Sequence, residues 1–156
     1  MAIEILEENA VRAVVDFMMI RLPIYLAQIQ IEHPDVDLPM FSRIDDEYID
    51  PSDVFKFPFA CVFVDDSKDE TKDRALDHNV CRVRMMSLYD GKKATKKTYR
   101  YNAAIREAIQ ADRTLGGKGC RAKVLERVYY TPIMKGNQEV RVAETYLEVQ
   151  MEVQRR

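Results

Sequence analysis

The sequence predicts an α+β domain: a mostly antiparallel four-stranded sheet with a long C-terminal hairpin, and helices packed on one face. Three observations predict this class. Apolar residues recur at the helical period over residues 11–22 and 101–109. Residues 59–64 are continuously apolar and rich in β-forming residues, which is typical of a strand buried on both faces. The last part of the chain alternates apolar and polar residues with the period of a strand.

Length and composition predict one soluble domain over residues 1–156. Apolar residues make up 47% of the chain and charged residues 32%, as in ordinary globular proteins. The amino terminus is acidic where a signal peptide is basic, and no apolar segment is long enough to span a bilayer. The three cysteines fit neither a disulfide framework nor a ligand pair. We therefore expect a protein made in a cytoplasm, with reduced thiols and no contact with a membrane.

The amino-terminal part is predicted to contain two helices. Pro23 is expected to end the first helix and begin a shorter one that runs to about Glu32, where His33 and Pro34 stop it. Residues 34–58 contain four prolines and are predicted to be a long irregular loop, either a contact arm or a docked crossover segment. The apolar stripe of the first helix consists of Val11, Val14, Val15, Met18, Met19 and Leu22.

The middle of the chain is predicted to form two strands and a third helix. Residues 65–77 are charged throughout and are expected to form an exposed loop after the strand at 59–64. Residues 80–89 alternate, with Cys81, Val83 and Met85 on one face and Arg82 and Arg84 on the other. The helix that follows is marked by a stripe over residues 101–109, and residues 114–117 are predicted to end it, because glycine adopts the left-handed cap conformation.

The closing hairpin is predicted from alternation over residues 121–130 and 143–153, with Gly136 and Asn137 in the connection. Pairing Lys123 with Glu148 and Arg127 with Glu144 gives one register. The alternation excludes a slip by one residue, because such a slip would turn the apolar row to solvent. A slip by two residues keeps the faces and stays open, with Gly136-Asn137 as the turn.

The residue types that catalysis and metal binding need are sparse. His78 and Cys81 are expected to point to opposite faces of a strand, so they cannot share a proton. Asp65, Asp66, Asp69 and Glu70 lack the spacing of a calcium loop and are interpreted as solvated acids. Residues 116–119 follow a helix and precede a strand, the reverse of a phosphate-binding loop. We expect no catalytic residue, cofactor or metal.

Charge is strongly polarised along the chain. Residues 1–90 carry 9 basic and 19 acidic side chains, whereas residues 91–141 carry 13 and 4. Such asymmetry can mark complementary subunit surfaces, nucleic-acid contact or solvated faces. The basic cluster at 92–100 has Tyr99 and Tyr101 beside it, and all three interpretations stay open for it. The candidate inter-subunit contacts are Lys92, Lys93, Lys96, Lys97, Asp45, Asp46, Glu47, Asp65 and Asp66.

Three segments carry a resemblance to a known family. Residues 105–117 read Ile-Arg-Glu-Ala-Ile-Gln-Ala-Asp-Arg-Thr-Leu-Gly-Gly, residues 21–26 read Arg-Leu-Pro-Ile-Tyr-Leu, and an apolar strand follows Pro58. In this order they resemble tail terminator, or tail completion (head–tail joining), proteins of tailed double-stranded DNA phages. The resemblance implies a structural protein of the virion tail, at its neck-proximal end, with no active site.

The resemblance also implies partners. Such subunits form a ring, commonly a hexamer, that caps the tail tube, stops its growth and docks a neck or head completion protein. DNA that passes through the lumen would be touched only passively. Three alternatives stay open: a neck or head–tail connector subunit, a DNA-binding accessory protein built on residues 92–100, and a small enzyme, which the missing catalytic residues disfavour.

Overall fold

The computed structural model describes residues 3–71 and 76–154 and confirms the α+β class. Within these residues the chain forms two α-helices and a sheet of six strands. In chain order the elements are α1 (Leu6–Glu32), β1 (Arg43–Asp45), a 3₁₀ turn (Pro51–Asp53), β2 (Phe59–Thr71), β3 (Leu76–Asp90), α2 (Ala94–Ala111), β4 (Cys120–Tyr129), β5 (Ile133–Lys135) and β6 (Gln138–Gln154).

The sheet is mixed and larger than the four antiparallel strands expected from sequence. Its order is β1-β2-β3-β6-β4, and β5 pairs with the start of β6. The expected strands correspond to β2, β3, β4 and β6, which pair with one another in antiparallel fashion. The short strand β1 adds a parallel edge beside residues 59–61. It was not expected because three residues in a proline-rich segment carry no periodic signal.

Both helices pack on one face of the sheet, as predicted. The main core joins Leu22 and Leu26 of α1, Ile105 of α2, and Val83 and Leu147 of the sheet. The opposite face has a second, smaller core at one end only, formed by Val54, Phe59, Cys61, Met86, Leu88, Val140 and Val142. Residues 34–58 supply apolar side chains to both cores and are therefore a docked crossover segment.

The predicted break at Pro23 is wrong, because α1 is continuous from Leu6 to Glu32 with Pro23 inside it. Proline removes one helical hydrogen bond. Met18, Leu22 and Leu26 lie one turn apart on the buried face and hold the helix against the sheet on both sides of Pro23. The predicted stripe is otherwise buried or half-buried, except that Met19 is 51% exposed.

The predicted exposed loop at 65–77 is also wrong. β2 continues to Thr71 and β3 begins at Leu76, so the charged residues lie on a long antiparallel ladder; residues 72–75 of the predicted loop lie outside the described residues. Backbone pairing persists here because Asp65 faces Arg84 and the Asn79 amide donates to Asp69. A bulge between Val64 and Asp66 shifts the register once.

The hairpin combines the proposed registers. Lys123 lies opposite Glu148, as predicted, but a bulge between Val124 and Glu126 places Arg127 opposite Thr145 instead of Glu144. The one-residue slip that the alternation was predicted to exclude therefore does occur, halfway along β4. It is possible because the bulge turns the residues after it to the other face of the sheet, while the apolar residues before it stay on the core face. The tight turn at Gly136-Asn137 closes β5 onto β6.

Candidate assembly surfaces

The lysine cluster is held against an acid of the same chain. The guanidinium of Arg100 lies 2.7 Å from the Asp35 carboxylate, and the ammonium groups of Lys96 and Lys93 lie 3.3 and 3.9 Å from it. The side-chain hydrogen bonds from Arg100, foremost, and from Lys96 hold the pKa of Asp35 below its ordinary value. One carboxylate among three cations leaves this surface positive. Lys93, just before α2, and Lys96 and Arg100, on its first turns, thus attach the crossover segment to α2 through Asp35.

The other two lysines of the cluster differ from each other. Lys97 is half-buried and donates to the backbone carbonyl of Asp90 at 3.0 Å, whereas Lys92 is exposed. Contact of Lys92, Lys93, Lys96 and Lys97 with a neighbouring subunit stays a prediction.

The acids at 45–47 separate into one buried and two exposed residues. Asp45 is buried in β1 beside the Arg43 guanidinium, at 2.8 Å, so it has a structural role within the chain. Asp46 lies 3.8 Å from Arg12, and Glu47 is exposed. Together with Glu7 and Glu8 of α1, Asp46 and Glu47 line an open acidic cleft of about 400 Å³ beside β2.

Asp65 and Asp66 lie on the edge of the sheet. The Arg84 guanidinium donates to Asp65 at 2.6 Å, and Asp66 is opposite Arg82 in the ladder with its side chain exposed. β1 pairs only with residues 59–61, so within the described part of the chain β2 has β3 on one side and no strand on its outer side from Val62 to Thr71. Residues 62–71 carry four acidic side chains and one basic side chain. We call residues 65–71 the acidic edge.

A second basic surface, whose residues were not among the predicted contacts, lies at the opposite edge of the sheet. β4 is the last strand on that side, and residues 113–127 carry five basic side chains and one acidic side chain. Lys118 lies 3.6 Å from Asp16 and Lys123 lies 3.3 Å from Glu148. Arg113, Arg121 and Arg127 have no ion-pair partner among residues 3–71 and 76–154. We call residues 120–129 the basic edge. Its cations are separated by other residues along the strand, so the sequence shows no run of consecutive basic residues there.

The sheet face opposite the helices carries an ionic and aromatic cluster beyond the second core. Arg84 lies 2.9 Å from Glu144, whose side chain is only 7% exposed, although the two atoms are not aligned for a hydrogen bond. Arg82 and Arg84 both stack on the ring of Tyr146, at 4.7 and 5.0 Å from its centre. Hydrogen bonding to Glu144 raises the pKa of the Tyr130 phenol. These residues hold β3, β6 and β4 together across their strands.

An apolar stripe on α1 faces away from the core. Ile20, Ile24 and Ile31 follow one another at helical spacing and are each more than half exposed.

The three cysteine thiols and His78 have defined places in the fold. Cys61, Cys81 and Cys120 are buried and reduced, and burial raises the pKa of Cys61 to about 11. His78 contacts Gln150, whereas Cys81 belongs to the main core, so the two residues lie on opposite faces, as predicted. In the described ranges, no three His, Cys, Asp or Glu side chains are grouped closely enough to bind a metal ion.

Neither α1 nor α2 combines the length and the hydropathy that a membrane-spanning helix requires.

The segment at 112–117, which carries the family resemblance, has a clear local structure. α2 ends at Ala111, before the glycines that were expected to cap it. The Asp112 carboxylate accepts hydrogen bonds from the Thr114 hydroxyl, the Thr114 amide and the Gly116 amide, and the Thr114 hydroxyl foremost lowers the pKa of Asp112. Leu115 is fully buried, and Gly116 and Gly117 have positive φ angles. The pattern therefore encodes the turn from α2 into β4.

Comparison with known proteins adds no assignment: no protein-family model matches the chain, and no curated protein matches it.

Proposed function

We propose that the protein is a structural subunit of a phage tail that assembles into a ring, a hexamer being the form that the family it resembles implies. The observation that carries this proposal is the placement of an acidic edge and a basic edge on opposite sides of one sheet. A closed head-to-tail ring needs two different, complementary patches on each subunit. Opposite charges on the two sides meet that requirement in every copy.

The proposed ring caps the tail tube at its neck-proximal end, ends tube polymerisation and offers a docking surface to a neck or head completion protein. The resemblance of residues 105–117 and 21–26 to tail terminator proteins supports this position. In this function the protein acts through its surfaces and carries out no reaction. The buried acids fit such a role, because Asp45 and Glu144 are each placed beside an arginine of the same chain.

The function is tested by adding the purified chain to tail tube protein as the tube polymerises. We expect rings at one end of each tube in electron micrographs, and shorter tubes as the ratio of this chain to tube protein rises. Light scattering of the chain alone measures its mass before the tube is present. Tubes whose ends stay bare and whose length does not depend on the added chain would refute the proposed function.

The neck or connector position is the second candidate, because a head-to-tail ring fits both positions equally well. It predicts binding to head completion proteins without any effect on tube length. The DNA-binding alternative is less well supported, because Asp35 engages Lys93, Lys96 and Arg100. That alternative predicts DNA affinity that falls steeply with salt concentration.

A further inference from the structure

We propose that neighbouring copies join edge to edge, so that the basic edge of one copy pairs as an antiparallel strand with the acidic edge of the next. This inference rests on the proposed ring and specifies its interface: the partner is a second copy of this chain. The two edges are the outer sides of β4 and of the distal half of β2.

Strand direction permits a continuous sheet. β2, β3, β6 and β4 are each antiparallel to the next, so β4 runs opposite to β2. A second copy placed beside the first in the same orientation therefore presents its β4 antiparallel to the first copy's β2. A small rotation at each such junction closes a ring instead of a dimer.

The backbone groups available on β4 can be identified from its pairing with β6. The Tyr130 amide donates to Val142 at 3.0 Å, so even-numbered residues of β6 bond towards β4. In the register after the bulge, Arg127 and Tyr129 therefore direct their amide and carbonyl groups outward. Nearer the start of the strand, the Ala122 amide already donates to the Arg113 carbonyl at 2.7 Å. Pairing with a neighbour is thus confined to the second half of β4.

The same reasoning applies to β2. Its ladder with β3 places Ser67 opposite Cys81 and Asp69 opposite Asn79, in the positions whose backbone groups point away from β3. Before this stretch, the ring of Tyr48 packs edge-on against that of Phe63, with 5.3 Å between the ring centres, so the crossover segment lies against this part of β2. Residues 65–71 are therefore the open part of β2.

Faces and charges select the register. Arg127 lies opposite Thr145 and Asp69 lies opposite Asn79, and both belong to the helix-covered side of the sheet. Directly paired residues of adjacent strands share a face, so Arg127 of one copy can lie opposite Asp69 of the next, an oppositely charged pair. Pairing of two basic edges or two acidic edges would place like charges together. The charges thus favour the head-to-tail arrangement over a two-fold dimer.

The interface is tested by cross-linking Asp69→Cys with Arg127→Cys in one chain. Inside a chain the two positions lie on strands that are three spacings apart, a separation of at least roughly 14 Å, which is beyond the ~7 Å limit for a disulfide. Any bond must therefore join two copies. We expect a ladder of covalent multimers on non-reducing gels of assembled rings. Ser67→Cys with Arg127→Cys tests a register shifted by two residues and would also support edge pairing.

Matched controls complete the test. Glu70→Cys with Arg127→Cys places the thiols on opposite faces and should give no ladder, and Arg127→Cys alone should give dimers at most. Arg127→Glu is expected to abolish assembly, and adding Asp69→Arg to the same chain to restore it, because each interface then has its charges exchanged. If rings form but neither cross-link nor exchange behaves in this way, edge pairing is refuted while the ring stands. If the unsubstituted chain forms no rings on tubes, both proposals fail.

Discussion

Arg84 on the open face of the sheet provides a sharp test of how the structure uses its buried charges. Its guanidinium lies 2.9 Å from Glu144 and 2.6 Å from Asp65. The Arg84 side chain is 26% exposed and that of Glu144 is 7% exposed. The substitution Arg84→Met keeps a long apolar stem beside Tyr146 and removes the charge. It leaves Glu144 as a buried carboxylate without its cation.

The expected loss of stability follows from distance and exposure. Two unit charges about 3 Å apart attract by roughly 5 kcal/mol at an effective dielectric constant of about 20. Water reaches part of Arg84, and the substitution also removes that residue's own desolvation penalty, so the loss is smaller. Removing one partner of a buried pair costs about 3–5 kcal/mol, and we expect about 2–4 kcal/mol here. For a chain of this size, ~3 kcal/mol lowers Tm by roughly 6–12 °C.

Arg82→Met is the matched control, on the same strand and the same face. Arg82 and its partner Glu126 are 2.7 Å apart, but their side chains are 38% and 53% exposed. Arg82→Met should therefore lower the free energy of unfolding by only about 0–1 kcal/mol. Urea unfolding of both variants measures the difference, and Arg84→Met combined with Glu144→Gln should recover about half of the loss or more. Equal losses in the two single variants, or no recovery in the double variant, would refute this account.

Two further predictions concern pH. The pKa of Asp35 is lowered in the folded state, so its contribution to stability is present above its unfolded pKa and is lost as pH falls through the folded value. Asp35→Asn should therefore reduce the fall in the free energy of unfolding, measured with urea, as the solution is made acidic. An unchanged fall would contradict the contact with Arg100. The pKa of Cys61 is raised from 9.0 to about 11, so its contribution is present below pH 9 and is lost as pH rises towards 11. Cys61→Ala should remove up to about 3 kcal/mol of that alkaline loss, and an identical alkaline slope in both proteins would show that the thiol is not the cause.

Elements with a long local period were predictable from sequence. The alternation in β6 and the helical stripe of α2 each place apolar side chains on one face, and the structure buries those faces. Local chemistry also explains the turn at 112–117, because an aspartate, a threonine and two glycines can hydrogen-bond and adopt positive φ angles without distant partners.

Elements that depend on distant residues were mispredicted for a common reason. Pro23 remains helical because Leu22 and Leu26 are packed against the sheet, and no neighbouring residue in sequence records that packing. The charged stretch at 65–71 is a strand because β3 supplies hydrogen bonds and Arg84 supplies a cation. Propensity describes a segment alone, whereas burial and pairing depend on what the rest of the chain places beside it.

The amino-acid sequence by itself determined the α+β class, the alternating faces of β6 and the excess of acids before residue 91 and of bases after it. Only the tertiary structure decided where those charges lie. It places Lys96 and Arg100 against Asp35 of the same chain, and it leaves the cations of β4 and the acids of β2 at opposite sides of the sheet. The physical reason is that charge partners are selected by distance in space, which the order of strands sets and the order of residues does not.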